Sequence, residues 1–211
     1  MILTVNEFKG LFAAWSKTMT ENRDYLIDLD SIVGDGDLGL TMADGFAAAS
    51  NYAQSCENTD LGNLFYFAGK TMATAVPSTM GTLMASGLME VGKTLKTKTQ
   101  LSANEAYLIF EAYENGVMLR GKAKVGEKTF LDGLDPAIKV LKAASADSDM
   151  AAVWADAASA AAQGAQNTTT MLAVHGRAAT RGEQSRSLLD PGAVVAKMLV
   201  ETACSYFSDI L

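Results

Sequence analysis

Eight stretches of this chain carry apolar residues at every third or fourth position, separated by short glycine-containing or polar breaks. That spacing lines one face of an α-helix and cannot line one face of a strand. It predicts helices over roughly 4–27, 40–54, 60–74, 80–95, 103–119, 130–145, 149–165 and 192–209. Composition agrees: apolar residues are 49 % and charged residues 19 %, which excludes disorder, and three prolines amid many Ala, Leu and Met favour helix over strand. Start signals are present as well. Ser102 with Glu105 three residues on forms a capping box, Thr129 can cap the helix after it, and Pro191 follows Asp190 as a first-turn proline follows its cap. No linker, charge block or repeat divides the 211 residues, so the expectation is one all-α domain over 1–211.

The polar residues that remain fall in four breaks, 30–39, 76–82, 120–129 and 175–192, which follow the first, third, fifth and seventh helices. In an antiparallel bundle with short connections, alternate loops gather at one end. All four breaks are therefore expected at the same end of the bundle.

The first break concentrates charge. Asp30, Asp35 and Asp37 lie within eight residues of the run LDSIVGDGDLGLTM, between two apolar stretches. Clustered carboxylates must be solvated, paired or wrapped round a cation, and oxygen ligands at this spacing suit Mg²⁺ or Ca²⁺. An EF-hand needs Glu at its twelfth position, but counting from Asp30 reaches Thr41 and from Asp35 reaches Phe46. Mg²⁺ held by carboxylates usually shares its coordination with substrate phosphates. The usual phosphate loops are nevertheless missing: Gly69-Lys70-Thr71 resembles the end of a Walker motif, yet Leu64 stands where its first glycine belongs. The bland reading of the same turn is a solvated loop with an aspartate helix cap.

Two further breaks are rich in polar groups. Residues 174–192 carry three arginines and the single histidine, His175; Arg177 has the charge to meet a transferring phosphoryl group, whereas a lone histidine without a known partner reads as structural. In 120–132, Gly121 and Gly126 permit close approach of a ligand, and Phe130 faces either a base or the core.

Other classes of function are disfavoured. A net charge of −7 without a basic block argues against nucleic acid. Cys56 and Cys204 lack metal-site spacing, and no apolar run approaches a membrane span, so a reduced, cytoplasmic chain with no membrane partner is expected.

Three blocks together carry a family resemblance: Gly-Asp-Gly-Asp-Leu-Gly-Leu-Thr-Met (34–42), Arg-Gly-Lys-Ala with Gly-Glu-Lys-Thr (120–129), and Gly-Arg-Ala-Ala with Gly-Glu-Gln-Ser and Asp-Pro-Gly-Ala (176–193). In order and spacing the chain resembles the nucleotide-binding L subunit of dihydroxyacetone kinases over essentially its whole length. The resemblance implies an eight-helix antiparallel barrel with ATP or ADP at one end and two Mg²⁺ ions between aspartates and phosphates. It makes Asp30, Asp35 and Asp37 the metal ligands and, with Arg177, the catalytic set. It assigns nucleotide contacts to Leu38, Gly39, Leu40, Thr41, Thr79, Met80, Gly121, Phe130, Arg177, Asp190, Pro191 and Gly192. Two positions depart from the pattern, Leu38 where histidine is common and Met80 in what is usually a Gly/Ser-rich turn.

In such a family the ketose is bound by a separate K-type subunit. The expected activity is therefore transfer of a phosphoryl group from Mg-ATP to a small ketose held by that partner. Two alternatives stand beside it: an ADP-retaining subunit rephosphorylated by a phosphotransferase-system protein, and a non-catalytic nucleotide sensor that binds a regulator.

Overall fold

The computed structural model describes residues 2–210. Nine α-helices lie within them: α1 (Val5–Glu21), α2 (Arg23–Val33), α3 (Leu38–Ser55), α4 (Leu61–Ala75), α5 (Thr79–Thr94), α6 (Tyr107–Gly121), α7 (Phe130–Ala143), α8 (Met150–Asn167) and α9 (Pro191–Ile210). The all-α expectation holds, and each expected helix is present, the first in two pieces. Asn22 makes the division: its side-chain amide donates to the Thr18 carbonyl at 2.9 Å, ending α1 and letting α2 leave at a new angle. Helix α2 also continues past residue 27, so Asp30 sits in its last turns and not in a loop.

Helix caps form, among them those expected at Thr129 and Asp190. Thr4 and Glu7 box the start of α1, Thr129 and Asp132 that of α7, and the Asp190 carboxylate accepts the Ala193 N–H at 2.7 Å to open α9. Ser102 and Glu105 box a short 3-10 turn, Ala103–Glu105, that leads into α6. Two three-residue strands, β1 (Ile2–Thr4) and β2 (Gln100–Ser102), pair antiparallel with Leu3 opposite Leu101. Strands this short leave no alternation to read in the sequence.

Eight of the helices close into a ring in which each packs against its neighbours in the order α1, α3, α4, α5, α6, α7, α8, α9 and back to α1. The Trp15 indole N–H donates to the Leu199 carbonyl at 2.9 Å across the closing contact. Helix α2 lies outside the ring against α3. Aromatic rings fill the centre: Trp15 meets Phe12, Phe46 and Phe110 edge-on, and Trp154 lies on Phe207 with centroids 4.9 Å apart. Burying each such ring is worth on the order of 2–3 kcal/mol, with about 1 kcal/mol more from edge-to-face geometry. Among the described residues no helix is long and apolar enough to cross a membrane.

Because neighbours in the ring run antiparallel, α3, α5, α7 and α9 all begin at one pole. Four sets of unpaired backbone N–H groups, each at the positive end of a helix dipole, therefore face the same region.

Candidate functional site

That pole holds a cavity of about 990 Å³ lined by residues from all four predicted breaks. A second concavity of about 740 Å³ lies on the flank between α1, α2 and α9, but it has no cluster of carboxylates. The clustered carboxylates lie at the pole.

The floor is the carboxylate turn. Gly36 takes a left-handed conformation, φ +76°, which glycine adopts without strain, and its N–H donates to Asp30 Oδ2 at 2.9 Å. The turn thus holds the Asp30 carboxylate beside Asp35 and Asp37. Oxygens of the three carboxylates lie within 4.8 Å of one another. Asp37 precedes α3 without using its side chain as a cap, so both of its oxygens stay free. Burial, followed by the charges of Asp35 and Asp30, raises the Asp37 carboxyl above its ordinary value, and Arg177 partly offsets this. Arg177 Nη2 lies 2.6 Å from Asp35 Oδ2. Three hard oxygen donors at this separation fit a divalent cation of the Mg²⁺ type.

Gly39 places the turn. A methyl group there would stand 2.0 Å from the Arg23 carbonyl oxygen, so only glycine lets α3 press against α2 and bring Asp30 to the other two aspartates.

The walls come from the remaining breaks. Leu38, Thr79 and Met80 line one side, at the starts of α3 and α5. Ser78 caps α5 through the Gly81 N–H at 3.0 Å and lies 3.2 Å from the Thr41 hydroxyl, tying the two helix starts together. Gly121 and Phe130 form the opposite wall; Phe130 is buried against Tyr113, centroids 5.8 Å apart and planes tilted by 31°. Arg177 and the Asp190-Pro191-Gly192 corner complete the rim. Burial pushes the Asp190 carboxyl up to about 7, against the pull of the Ala193 N–H and the Lys128 ammonium.

Three sequence-predicted contacts do not line the cavity. Gly39 is pressed on α2, Leu40 points to solvent at 48 % exposure, and Thr41 is turned to Ser78. Only the backbone N–H groups of Gly39 and Leu40, in the first turn of α3, remain available to a ligand, since the Thr41 N–H donates to the Asp37 carbonyl at 3.0 Å. Conversely, Arg120, Lys128 and His175 line the cavity although residue-type reasoning gave them no role. His175 does have a partner, Glu127, with Nε2 and Oε2 2.6 Å apart. Forty-eight residues separate the two in sequence, so no local pattern could pair them.

The fold and site define a closed eight-helix barrel with a carboxylate-floored cavity at one pole, and comparison with known proteins places it in a family. The DAK2 domain family model matches residues 32–205, and the chain belongs to that family. It is 32 % identical, over 84 % of its length and 85 % of the relative's, to the ADP-binding subunit DhaL of the PEP-dependent dihydroxyacetone kinase of Escherichia coli (strain K12). It is 28 % identical to the ADP-binding subunit DhaL of the PTS-dependent dihydroxyacetone kinase of Lactococcus lactis, covering 95 % of this chain and 97 % of that one. The fold also matches the dihydroxyacetone kinase of C. freundii in complex with AMP-PNP and Mg²⁺, with a TM-score of 0.70 at 22 % identity. That match covers 93 % of this chain, which spans about a third (33 %) of the C. freundii protein.

Proposed function

We propose that this chain is the ADP-binding phosphotransferase subunit of a dihydroxyacetone-type kinase, passing a phosphoryl group to a small ketose bound by a separate K-type subunit. One observation carries the reading: three carboxylates and four helix N-termini converge on a single cavity. Carboxylates alone would repel phosphates and helix ends alone would not hold a cation. Together they suit a Mg-nucleotide.

Asp30, Asp35 and Asp37 would hold two Mg²⁺ ions, which supply charge neutralisation at phosphate oxygens when bound. The chain's own groups do the rest. The N–H groups opening α3 and α5 bind phosphate oxygens, Phe130 and Gly121 receive the nucleoside, and Asp190 to Gly192 bound the open side. Arg177, on an exposed loop within reach of the carboxylate turn, offsets charge on the transferring group. Leu38, only 5 % exposed, adds an apolar wall that limits water beside the phosphates. Acceptance of the phosphoryl group falls to the hydroxyl presented by the partner, so the mouth of the cavity must stay open to it.

The two DhaL relatives are named for phosphoenolpyruvate- or PTS-dependent kinases, and this favours retained ADP rephosphorylated by a phosphotransferase-system protein over exchange of ATP. The test is calorimetric titration of Mg-ADP into wild type and into Asp35→Ala and Asp37→Ala. Affinity should fall at least about a hundredfold in either variant; unchanged binding overturns the assignment. Adding a K-type partner and ATP alone then separates the donors, because a single turnover indicates the relay and multiple turnovers indicate exchange.

A further inference from the structure

The Arg177 and Asp190 loop has few contacts of its own with the ring, yet it must hold an arginine opposite the carboxylate turn. Two adjacent residues in the break before α7 reach across to it. Lys128 takes a left-handed backbone, φ +60°, which is uncommon for a side chain of this size. The conformation sends the side chain inward, where it is only 2 % exposed. Its ammonium donates to three backbone carbonyls: Thr168, Leu188 at 2.5 Å and Arg186 at 3.4 Å. These carbonyls lie at the beginning and the end of the loop, so one ammonium closes its neck. Lysine has three donors and all three are used on backbone, none on a carboxylate. Glu127 grips the same loop near its middle through His175, at 2.6 Å, one residue from the Gly176 hinge (φ +65°) and two from Arg177. Further ties across the loop are the Ala173 N–H to the Ser185 hydroxyl at 3.1 Å, Arg186 Nη1 to the Thr170 carbonyl at 3.0 Å and the Asp190 N–H to the Thr168 hydroxyl at 3.0 Å, while Arg177 meets Asp35 at its tip.

We propose that Glu127 and Lys128 form a two-point positioning clamp that fixes the loop 168–190 and thereby sets Arg177 and Asp190 at the rim of the cavity. Neither residue need touch the reacting atoms. The clamp itself rests on the geometry; its consequence for phosphoryl transfer rests on the function proposed above.

The loop carries its own reporters, since Arg177, Arg181 and Arg186 are tryptic sites within it. Limited trypsinolysis of the nucleotide-free full chain, followed by mass spectrometry, compares wild type with Lys128→Met and Glu127→Gln. Cleavage at the three arginines should accelerate at least about tenfold in Lys128→Met and about threefold in Glu127→Gln, while cleavage at Lys197 in α9 keeps its wild-type rate. A change of less than about twofold at all three arginines in folded Lys128→Met overturns the clamp. If Lys128→Met lacks the wild-type far-ultraviolet spectrum, Glu127→Gln, altered at a half-buried surface pair, decides by the same criterion. A general loss of stability would raise cleavage at Lys197 equally, and that result also overturns the proposal. The readout needs no nucleotide. Failure of the functional reading would show separately, as wild-type protein that does not bind Mg-ADP.

Discussion

Glu114 is a carboxyl buried in the seam between α6 and α7, and its Oε1 has no hydrogen-bond partner. Burial pushes it up to about 7 from an ordinary 4.5, with the charge of Asp135 adding to the rise. Lys139 pulls the other way, but its ammonium is already 2.6 Å from Asp135. Replacing Glu114 with glutamine keeps the shape and removes the ionisation. A carboxyl whose folded value is raised costs nothing while protonated in both states. Its cost begins as pH rises through 4.5, where the unfolded chain ionises, and is complete above about 7. The full displacement corresponds to about 3.4 kcal/mol, and partial access of water to the helix seam reduces this to about 2 kcal/mol. Urea unfolding followed by the fluorescence of Trp15 and Trp154 at pH 5, 6, 7 and 8 measures it. Wild type and Glu114→Gln should differ little at pH 5, and the variant should be about 2 kcal/mol more stable at pH 8. Parallel stability curves across that range would refute the account of Glu114 as a carboxyl forced toward its neutral form.

Other perturbations test the site and its support. Gly39→Ala would drive a methyl into the Arg23 carbonyl, so α2 should shift, carrying Asp30 from its partners, and Mg²⁺ affinity by calorimetry should fall about tenfold with helix content retained. Phe130→Ala removes a buried ring from the wall of the cavity and should cost about 3–5 kcal/mol in urea unfolding while weakening Mg-ADP. Trp15→Phe removes the indole N–H that meets the Leu199 carbonyl and part of a buried ring, and should lower stability by about 1–3 kcal/mol, with Mg-ADP binding unchanged. Removing divalent cations with a chelator should abolish Mg-ADP retention in wild type and leave the far-ultraviolet spectrum intact; retention without metal would contradict the reading of the aspartates.

Periodicity made the helices legible because each buries a stripe against two neighbours, and that stripe repeats every turn. The break at Asn22 escaped it: apolar spacing runs on through Glu21, Asn22 and Arg23, and only a side-chain bond to Thr18 ends the helix. Parity of the connections alone puts the four breaks at one pole, where they line one cavity. Within the site, Asp30, Asp35 and Asp37 stood out because their crowding needs a cause, whereas Lys128 looks like any surface lysine until its backbone turns it inward. Contacts such as His175 with Glu127 depend on how the loops fold over one another. Thr41 is the converse case, a polar residue beside the carboxylate turn whose hydroxyl lies 3.2 Å from that of Ser78 and which does not line the cavity.

The ring of helices has one seam. Its neighbours are mostly successive in the chain, but α1 meets α9 through Trp15 and Leu199, 184 residues apart. Closing a loop of that length costs entropy that grows only slowly with length, so the seam is affordable yet forms late. The strand Ile2–Thr4 and the end of α9 lie together at the pole away from the carboxylates, where Phe8 touches Phe207 with centroids 6.4 Å apart. A circular permutant that joins these ends and opens the chain between α7 and α8 would therefore turn the seam into a local contact. Such a permutant should fold faster than the natural order while leaving the pole that carries the aspartates untouched.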